Sequence, residues 1–557
     1  MTKYNSLEEM PATIRDKLSH YFTNVGGTTF VIHGLPSELT GGLLARYSRA
    51  ATGIQLTLVN EFLDEHGEPS AEKGSKLMDR VLNAFGDDSV GELEGTHVGI
   101  EDISQVGTKL IEDRRIGGSP IEQSTRYVTY DQKDKQGKWR YFRPKEIAAS
   151  DLAERYETVN NRAFEVYAEG VSRLREYFAR QFPQDKFQIE AEREGKKVKI
   201  SEAELENDEE RKAFRNAYNF TVRCAALDVG RCVLPSSTLT HLGIYGNGRF
   251  FSHLITYLKS CGLEEGKSRG TDLETELNKV IPTFIKRNKE DPKLMKIDTA
   301  MRAVATELFR GIVPQDERVS LLPRSDLLDE VVSSSLFPYA TISLPQIMQV
   351  VQHLPYEKKC EIAHIYQGDR ENRRDRTGRG IETGYPLTFD LVGGFAEYRD
   401  LERHRMLTQQ RQLLSTELGF VMPPEMGIVG LEKEVEEVVA LMDELHSDVR
   451  KTHSEQLAQY TTLFNHRIRF MMGMNLREFQ HLAELRTQLA GHFSYRGMVM
   501  EMARKVESHY PWAKDFFGFV NFSDPDNKIS RSQEQSRIAG KNLASSIDSS
   551  LDLEERR

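Results

Sequence analysis

Two arginines flank a histidine in the second half of the chain, at Arg403, His404 and Arg405. A guanidinium offers a planar fork of hydrogen-bond donors, which suits a phosphate or the carbonyl-rich edge of a flavin ring. The triplet alone also fits a solvated basic helix end, where cations interact favourably with the helix dipole. Its meaning therefore depends on the motifs that accompany it.

A carboxylate, a hydroxyl and a guanidinium stand at alternate positions in the first half, at Glu122, Ser124 and Arg126. This pattern suits a loop that grips a nucleotide, with the hydroxyl and the backbone on phosphate oxygens and Arg126 adding charge. A polar turn ahead of a strand gives the same pattern. Further along, Arg486 lies about three helical turns after Asn475 and so on much the same helix face. A salt-bridged surface helix is the alternative there.

Hydrophobic periodicity predicts the elements that hold these residues. Apolar residues at helical spacing predict helices over residues 101–115, 152–180 and 394–405, and a long helix around residues 435–445. Alternating apolar residues predict a strand over 387–391. We expect an α+β fold in which helices pack on a small central sheet.

The two halves carry similar parts in the same order, which indicates an internal duplication rather than a short solenoid repeat. Arg231 and Gln459 precede the repeated motif at the same distance in each half. We expect the Asn-x-Arg segment of each half to form a helix with polar groups on one face. The repeated motif has an Asn, an Arg and a His, at Asn247, Arg249 and His253 and again at Asn475, Arg477 and His481.

The pattern predicts two related domains. The first covers residues 1–261 and contains a charged, solvated insertion at 183–215. Residues 262–380 form a connector with no motif that we interpret, and 381–525 form the second domain. The polar stretch 526–557 is expected to be disordered.

Composition excludes several classes of function. A net charge of -10 is a poor match for nucleic-acid binding, which relies on a basic footprint. No apolar run approaches the length that spans a membrane, and the first residues do not form a secretory signal. The 4 cysteines provide neither a disulfide framework nor a CxxC pair, so we expect no metal site and a reducing cytoplasm.

Together these segments resemble the flavin-dependent thymidylate synthases over most of residues 40–260 and 380–520. The order and spacing of the motifs make the resemblance fairly specific, although each motif is weak alone. The first half supplies Ala45-Arg46-Tyr47-Ser48, Ser89 and Glu92, Glu122-x-Ser124-x-Arg126-Tyr127, Arg231-Cys232-Val233-Leu234-Pro235 and Asn247-x-Arg249. The second half supplies Arg403-His404-Arg405, Asn475-x-Arg477 and Leu485-Arg486.

The resemblance implies reductive methylation of dUMP to dTMP. Methylenetetrahydrofolate and NADPH would be co-substrates, FAD would carry the hydride, and no cysteine nucleophile would be needed. It assigns catalytic roles to Arg486 and Ser124, and dUMP binding to Glu122, Ser124, Arg126, Arg231 and Arg486. Its flavin-binding residues are Arg403, His404, Arg405, Asn475, Arg477, His481, Ser89, Asn247 and Arg249.

Neither half holds a complete family signature. The first half reads Asp113-Arg114-Arg115 at the basic triplet and Leu258-Lys259 at the last motif. The second half has Arg411, Leu413 and Gln459 where the family has glutamate, serine and arginine. The losses are complementary, and the family's active sites lie between subunits of a homotetramer. Two copies of this chain would then form a homodimer that resembles the tetramer, with each active site built from both kinds of half.

Two other functions stay open at this point. One is a flavin- or nucleotide-binding relative with altered or lost methylation, because complementary losses also arise by decay of one function. The other is a helical interaction protein whose motifs are coincidental.

Overall fold

Runs of helices are interspersed with short strands along the chain, which confirms the α+β prediction. The computed structural model describes residues 3–48, 50–80, 91–193, 196–286, 288–322, 326–369, 378–511, 514 and 517–545. The strands are β1 (Gly95–Ser104), β2 (Gly118–Glu122), β3 (Gln188–Arg193), β4 (Lys196–Ser201), β5 (Leu239–Asn247), β6 (Val319–Leu321), β7 (Leu387–Gly394), β8 (Thr408–Arg411) and β9 (Arg467–Met474).

The helices range from single turns to the 29-residue α7. Those of the first 260 residues are α1 (Ala12–Leu18), α2 (Ser37–Tyr47), α3 (Ile54–Thr57), α4 (Ala71–Arg80), α5 (Gln105–Glu112), α6 (Lys145–Ala148), α7 (Ala153–Gln181), α8 (Asp208–Gly230) and α9 (Gly248–Ser260). The later ones are α10 (Glu264–Leu277), α11 (Pro282–Ile285), α12 (Pro292–Leu308), α13 (Leu327–Leu336), α14 (Leu344–Gln352), α15 (Tyr356–Gln367), α16 (Phe395–Leu401), α17 (Pro424–Ile428), α18 (Glu432–Thr452), α19 (Glu455–Ala458), α20 (Leu476–Arg486), α21 (Phe493–His509) and α22 (Ser532–Ser545).

Two sheets repeat one strand order. The first sheet has the order β1-β5-β2, and the second has β6-β7-β9-β8. In each, the strand that ends at the repeated asparagine lies between the other two related strands. The register agrees as well, because Glu122 pairs with Leu242 in the first sheet and Arg411 pairs with Phe470 in the second. The structure thus places Arg411 where the first half has Glu122.

The chain folds into two compact units that do not follow the two sequence halves. The first unit comprises Met1–Ile103, Gly107–Glu122 and His241–Lys296. The second comprises Ser104–Val106, Gln123–Thr240 and Ile297–Arg557. Residues 123–240 of the first half therefore fold with the second half, which differs from the expected boundary at 261.

The expected connector, residues 262–380, is not a separate segment of the fold. Its first part belongs to the first unit, and its later helices belong to the second. Buried side chains of those later helices, including Val332 and Ile347, form one core with Met471 of β9. Since side chains of β9 alternate between the faces of the sheet, these helices cover one of its faces.

Two predicted helices are shorter than expected. In place of a helix over 101–115, β1 runs to Ser104 and α5 occupies Gln105–Glu112. In place of a helix over 394–405, β7 ends at Gly394 and α16 ends at Leu401. Apolar spacing could not separate a strand end from the helix that directly follows it. The predictions over 152–180, 387–391 and 435–445 are confirmed by α7, β7 and α18.

The charged insertion and the tail are more ordered than their composition indicated. Within 183–215, β3 and β4 pair as an antiparallel hairpin, and Phe187 and Phe214 are buried. Helix α22 of the tail packs against β3 and α8, so the prediction of disorder is wrong for residues 532–545. Residues 546–557 lie outside the described residues.

Two absences hold for the described residues. None of their helices is both long and apolar enough to cross a membrane. Their histidine, cysteine and acidic side chains form no group that could hold a metal ion.

The contact between α22 and β3 predicts that Gly540→Ala destabilises the protein. A Cβ atom at Gly540 would lie 2.5 Å from the backbone oxygen of Glu190, too close for either element to stay in place. Alanine alone would favour the helix by about 1 kcal/mol, whereas overpacking typically costs about 1–3 kcal/mol. We therefore expect a lower midpoint in chemical denaturation. Gly518→Ala is the matched control, because nothing lies within 4 Å of its Cβ position.

An unchanged or raised midpoint for Gly540→Ala would contradict the packing of α22 on β3.

Candidate functional site

The Ser124 loop is a tight turn that directs its next two side chains inward. The backbone N–H of Arg126 donates to the Ser124 hydroxyl at 3.3 Å, and the Ser124 carbonyl accepts from Tyr127 and Val128. Serine hydroxyls commonly close turns of this kind. As a result Thr125 and Arg126 are buried, while Ser124 itself is half-buried.

Arg126 forms a buried bidentate ion pair with Asp228 of α8. The two nitrogen–oxygen distances are 2.7 and 2.8 Å. The same guanidinium donates to the Ala490 carbonyl at 3.3 Å, four residues after Arg486. This contact joins the first-half loop to the segment that follows the second half's Leu-Arg motif.

Arg231 lies in the same cluster. It donates to Asp400 of α16 at 3.3 Å and to the Thr125 hydroxyl at 3.5 Å. Arg399 donates to that hydroxyl from 3.3 Å, and its guanidinium lies 4.8 Å from the centre of the Phe464 ring. Thr125 thus accepts from two guanidiniums, one contributed by each half of the chain.

The two aspartates stay ionised although they are buried. Burial by itself would raise their pKa values, but the charges of neighbouring guanidiniums outweigh it. Arg126 holds the pKa of Asp228 below its usual range, and Arg231 does the same for Asp400. The cluster is therefore a set of buried, compensated charges.

His492 borders this cluster as a neutral imidazole. Its Nδ1 accepts from the backbone N–H of Ser494 at 3.2 Å, where it caps α21, and its Nε2 donates to the Asp228 carbonyl at 3.1 Å. Burial, helped by the charge of Arg231, lowers the pKa of His492 to about 3. The ring therefore caps α21 and donates a hydrogen bond to α8 while it stays uncharged.

The basic triplet is divided between surface and interior. Arg403 and Arg405 are exposed, whereas His404 is only 5% exposed. His404 contacts the Glu478 carboxylate through Nδ1 at 2.9 Å, and its Nε2 accepts from Nε of Arg486 at 2.9 Å. Both ring nitrogens of His404 are thus bonded to side chains of α20.

Exposed polar groups on α20 lie beside the triplet. Asn475 is the N-cap of α20 and accepts from the Glu478 N–H at 3.0 Å. Arg477 and His481 are exposed one turn apart, and the His481 ring is 5.6 Å from that of His404. These residues and the two flanking arginines form one exposed surface, which we call the basic surface.

The first-half candidates divide between the two units. Ser124, Arg126 and Arg231 belong to the second unit, with all the second-half candidates. Glu122, Asn247 and Arg249 belong to the first unit. There Glu122 pairs with the buried Lys109 at 3.5 Å, Asn247 caps α9, and Arg249 pairs with Glu92. Ser89 lies outside the described residues.

Three of the 4 cysteines are buried and do not provide a nucleophile. Burial raises the pKa of the Cys224 thiol to about 12, and it also raises the pKa values of Cys232 and Cys261. A thiolate is the reactive form, so these three side chains are inert at neutral pH.

Sequence reasoning missed the acidic partners of the cluster. Asp228 and Asp400 each interrupt a buried helical stretch, and an isolated charge in such a stretch is a signal for a buried ion pair. Glu478 gave no such signal, because it stands among other polar residues in the first turn of α20. His492 and Tyr495 follow Arg486 within nine residues, and their spacing alone indicates no role.

Comparison with known proteins identifies the family. The sequence model described as "Thymidylate synthase complementing protein" matches residues 44–283 and 385–512, one segment in each half. The chain belongs to the thymidylate synthase complementing protein family. This confirms the resemblance derived from the motifs.

Relatives of similar length match nearly the whole chain. A "UPF0159 protein" of Chlamydia pneumoniae is 34% identical over 540 residues, which covers 93% of this chain and 96% of that protein. One from Chlamydia muridarum is 32% identical over 94% of this chain and 97% of its own. A third, from Thermoplasma acidophilum, is 30% identical over 90% and 99%.

Both segments that match the thymidylate synthase complementing protein family contribute to the buried cluster. Thr125, Arg126 and Arg231 come from the first segment, and Arg399, Asp400 and His492 from the second. In this family member the charged core of the candidate site is thus built by both halves of one chain.

The neutral state of His492 predicts a specific pH dependence of stability. The unfolded chain takes up a proton on this residue near pH 6.5, whereas the folded chain does so only near pH 3. The stability that His492 contributes is therefore full above pH 6.5 and declines as the pH falls towards about 3. We expect His492→Asn, which keeps a capping side chain but does not titrate, to flatten this decline.

Urea denaturation at pH 7 and pH 4.5 measures this loss of stability. Both pH values lie above the range in which folded Asp228 and Asp400 take up protons, so these aspartates stay ionised in both measurements. Equal losses of stability in the wild type and in His492→Asn would show that His492 is not held neutral.

Proposed function

We propose that the protein converts dUMP to dTMP by reductive methylation, with methylenetetrahydrofolate as carbon donor, FAD as hydride carrier and NADPH as reductant. The observation that carries the proposal is the contact between the Arg126 guanidinium and the Ala490 carbonyl. It joins the nucleotide-gripping loop of the first half to the segment that begins at Arg486. The serine and arginines that the second half lacks, and the basic triplet and Leu-Arg motif that the first half lacks, thus belong to one unit.

The phosphate end of dUMP is assigned to Ser124, Arg126 and Arg231. The Nε atom of Arg231 is buried and has no hydrogen-bond partner among the described residues, so it is a donor suited to a ligand oxygen. The half-buried Ser124 hydroxyl, one residue before the Thr125 that Arg231 contacts, is a second polar group for the phosphate.

The base end of dUMP is assigned to Arg486. Its guanidinium lies 5.9 Å from the centre of the Tyr495 ring, and His404 holds its Nε. A fixed cation at this place would stabilise negative charge as N3 of the uracil ionises. Such charge matters most in the transition state, so Arg486 would act mainly on turnover.

The basic surface suits FAD by its donor set. Arg403, Arg405 and Arg477 offer guanidinium forks to phosphate oxygens and flavin carbonyls, and His481 offers an imidazole. Their exposure leaves them accessible to a cofactor. When bound, FAD would supply the hydride, while these residues would bind and orient it. Asn475 would take part with its amide, and Ser89, Asn247 and Arg249 would act at the related place in the first half.

The repeated strand order supports a tandem duplication, in which residues 1–261 and 381–525 are two family-like copies in the sequence whose parts are shared between the compact units. Exposed cofactor residues fit the family's use of sites between subunits. We therefore propose a homodimer that reproduces the family's tetramer, in a reducing cytoplasm.

A second function has one observation in its favour. Arg126 and Arg231 are already paired with Asp228 and Asp400, so a phosphate would have to compete with carboxylates for them. A relative that binds flavin or a nucleotide, but has altered or lost methylation, would tolerate this arrangement.

Purified protein assayed with 5-tritiated dUMP, methylenetetrahydrofolate and NADPH separates the two functions. We expect a yellow protein that releases tritium, and an Arg486→Ala variant that keeps its flavin but loses at least about a hundredfold in kcat. The double variant Arg403→Ala/Arg405→Ala should lose flavin on dialysis, because two charge-assisted hydrogen bonds contribute roughly 1.5–3 kcal/mol each.

Arg310→Ala, an exposed arginine away from these motifs, is the control and should match the wild type. Yellow protein without tritium release would support the second function, and colourless protein would refute the proposed function and the flavin-binding form of the second.

A further inference from the structure

His404 bridges two side chains of one helix that cannot reach each other. Glu478 lies in the first turn of α20, and Arg486 is its last residue. Eight residues of helix separate them by roughly 12 Å along the axis. The His404 ring spans this gap with two contacts of 2.9 Å, one to the Glu478 carboxylate and one to Nε of Arg486.

The donors and acceptors of these contacts leave one arrangement. An arginine Nε–H can only donate, so Nε2 of His404 must carry a lone pair. The proton of the neutral ring is then on Nδ1, where it donates to the Glu478 carboxylate. Glu478 thereby fixes both the tautomer and the orientation of the ring that holds Arg486.

Arg486 is consequently held on two sides. His404 contacts its Nε, and the Tyr495 ring lies 5.9 Å from its guanidinium carbon. A guanidinium with its Nε committed keeps its two terminal nitrogens for a ligand. Holding a cation in place before the reaction is what makes its charge effective in the transition state.

We propose that His404 and Glu478 are positioning residues that hold Arg486 in its working orientation, rather than ligands of the flavin. The proposal rests on the proposed role of Arg486 towards the uracil. It corrects the assignment of His404 that the family resemblance implied, because a ring that is 5% exposed and bonded at both nitrogens has no atom left for a cofactor.

The chain of contacts from Glu478 through His404 to Arg486, which we call the relay, requires that His404 is neutral. A second proton would place an Nε2–H against the Nε–H of Arg486, and the contact would break. Burial lowers the pKa of His404, the charges of Arg486 and the nearby His481 lower it further, and the Glu478 carboxylate opposes them. The relay should hold at neutral pH and fail on acidification.

Two substitutions at His404 separate its contacts. In His404→Gln the side-chain oxygen can take the place of Nε2 and accept from Arg486. In His404→Asn the amide stays near Glu478, and Arg486 loses its acceptor. We expect His404→Asn to lower kcat by roughly tenfold or more, the size of one hydrogen bond, with flavin content and KM for dUMP near wild type. His404→Gln should recover most of that loss.

Glu478→Gln tests the other contact. Its amide oxygen can still accept from Nδ1, but the charge that raises the pKa of His404 is gone. We expect near-wild-type kcat at pH 8 and an acid limb of the kcat profile displaced to lower pH. His509→Gln, an exposed histidine at the end of α21, is the control and should leave both unchanged.

A readout without turnover keeps this proposal distinct from the proposed function. The flavin-bound protein is labelled with nitrogen-15 at its histidines, and the signal of His404 is identified because it disappears in His404→Asn. At neutral pH this signal should show an unprotonated Nε2. Its chemical shift should change in Arg486→Ala. If the wild type releases no tritium but this signature is present, the proposed function fails and the relay stands.

Two results would overturn the relay. One is a protonated Nε2 in the wild type at neutral pH. The other is a His404→Asn enzyme that keeps full kcat, or that loses flavin to the same extent as Arg403→Ala/Arg405→Ala.

Discussion

The bidentate ion pair between Arg126 and Asp228 is the contact on which the rest of the candidate site depends. Placing a charge in a protein interior is costly unless a partner of opposite charge and further hydrogen bonds compensate it. Nε and one terminal nitrogen of Arg126 donate to the aspartate, and that terminal nitrogen also donates to the Ala490 carbonyl. The loop that begins at Ser124 therefore has one position relative to α8 and to the segment after Arg486.

The neighbouring pairs extend this constraint to the second half. Arg231 and Arg399 both donate to Thr125, and Arg231 also pairs with Asp400 of α16. A cluster of this kind is sensitive to the loss of one member, since the remaining charge would be buried alone. The interior arginines thus join the halves, while Arg403, Arg405 and Arg477 are exposed.

Local features of the fold could be predicted from the sequence, because the spacing of apolar residues indicates single strands and helices. The alternation of Leu387, Phe389 and Leu391 predicted β7, and the Asn-x-Arg motifs predicted helices whose first turns Asn247 and Asn475 do cap. Features that depend on distant partners were not visible. The pairing of residues 123–240 with the second half and the helix at 532–545 depend on contacts between remote segments.

For the site, the sequence predicted which residues take part better than it predicted what each of them does. Arg126, Arg231 and Arg486 were singled out by the motifs, and the structure places all three in one unit. The motifs did not show that His404 faces inward, because burial of one residue in a basic triplet depends on Glu478 and Arg486 across a helix.

The central claim, that the two halves together form thymidylate, is tested most directly in a cell that lacks its own thymidylate synthase. The account predicts that the full chain restores growth without added thymidine, and that Arg126→Ala and Arg486→Ala, one from each half, each abolish it. If the folded, flavin-containing chain failed to restore growth, or if either variant restored it fully, the account would be contradicted.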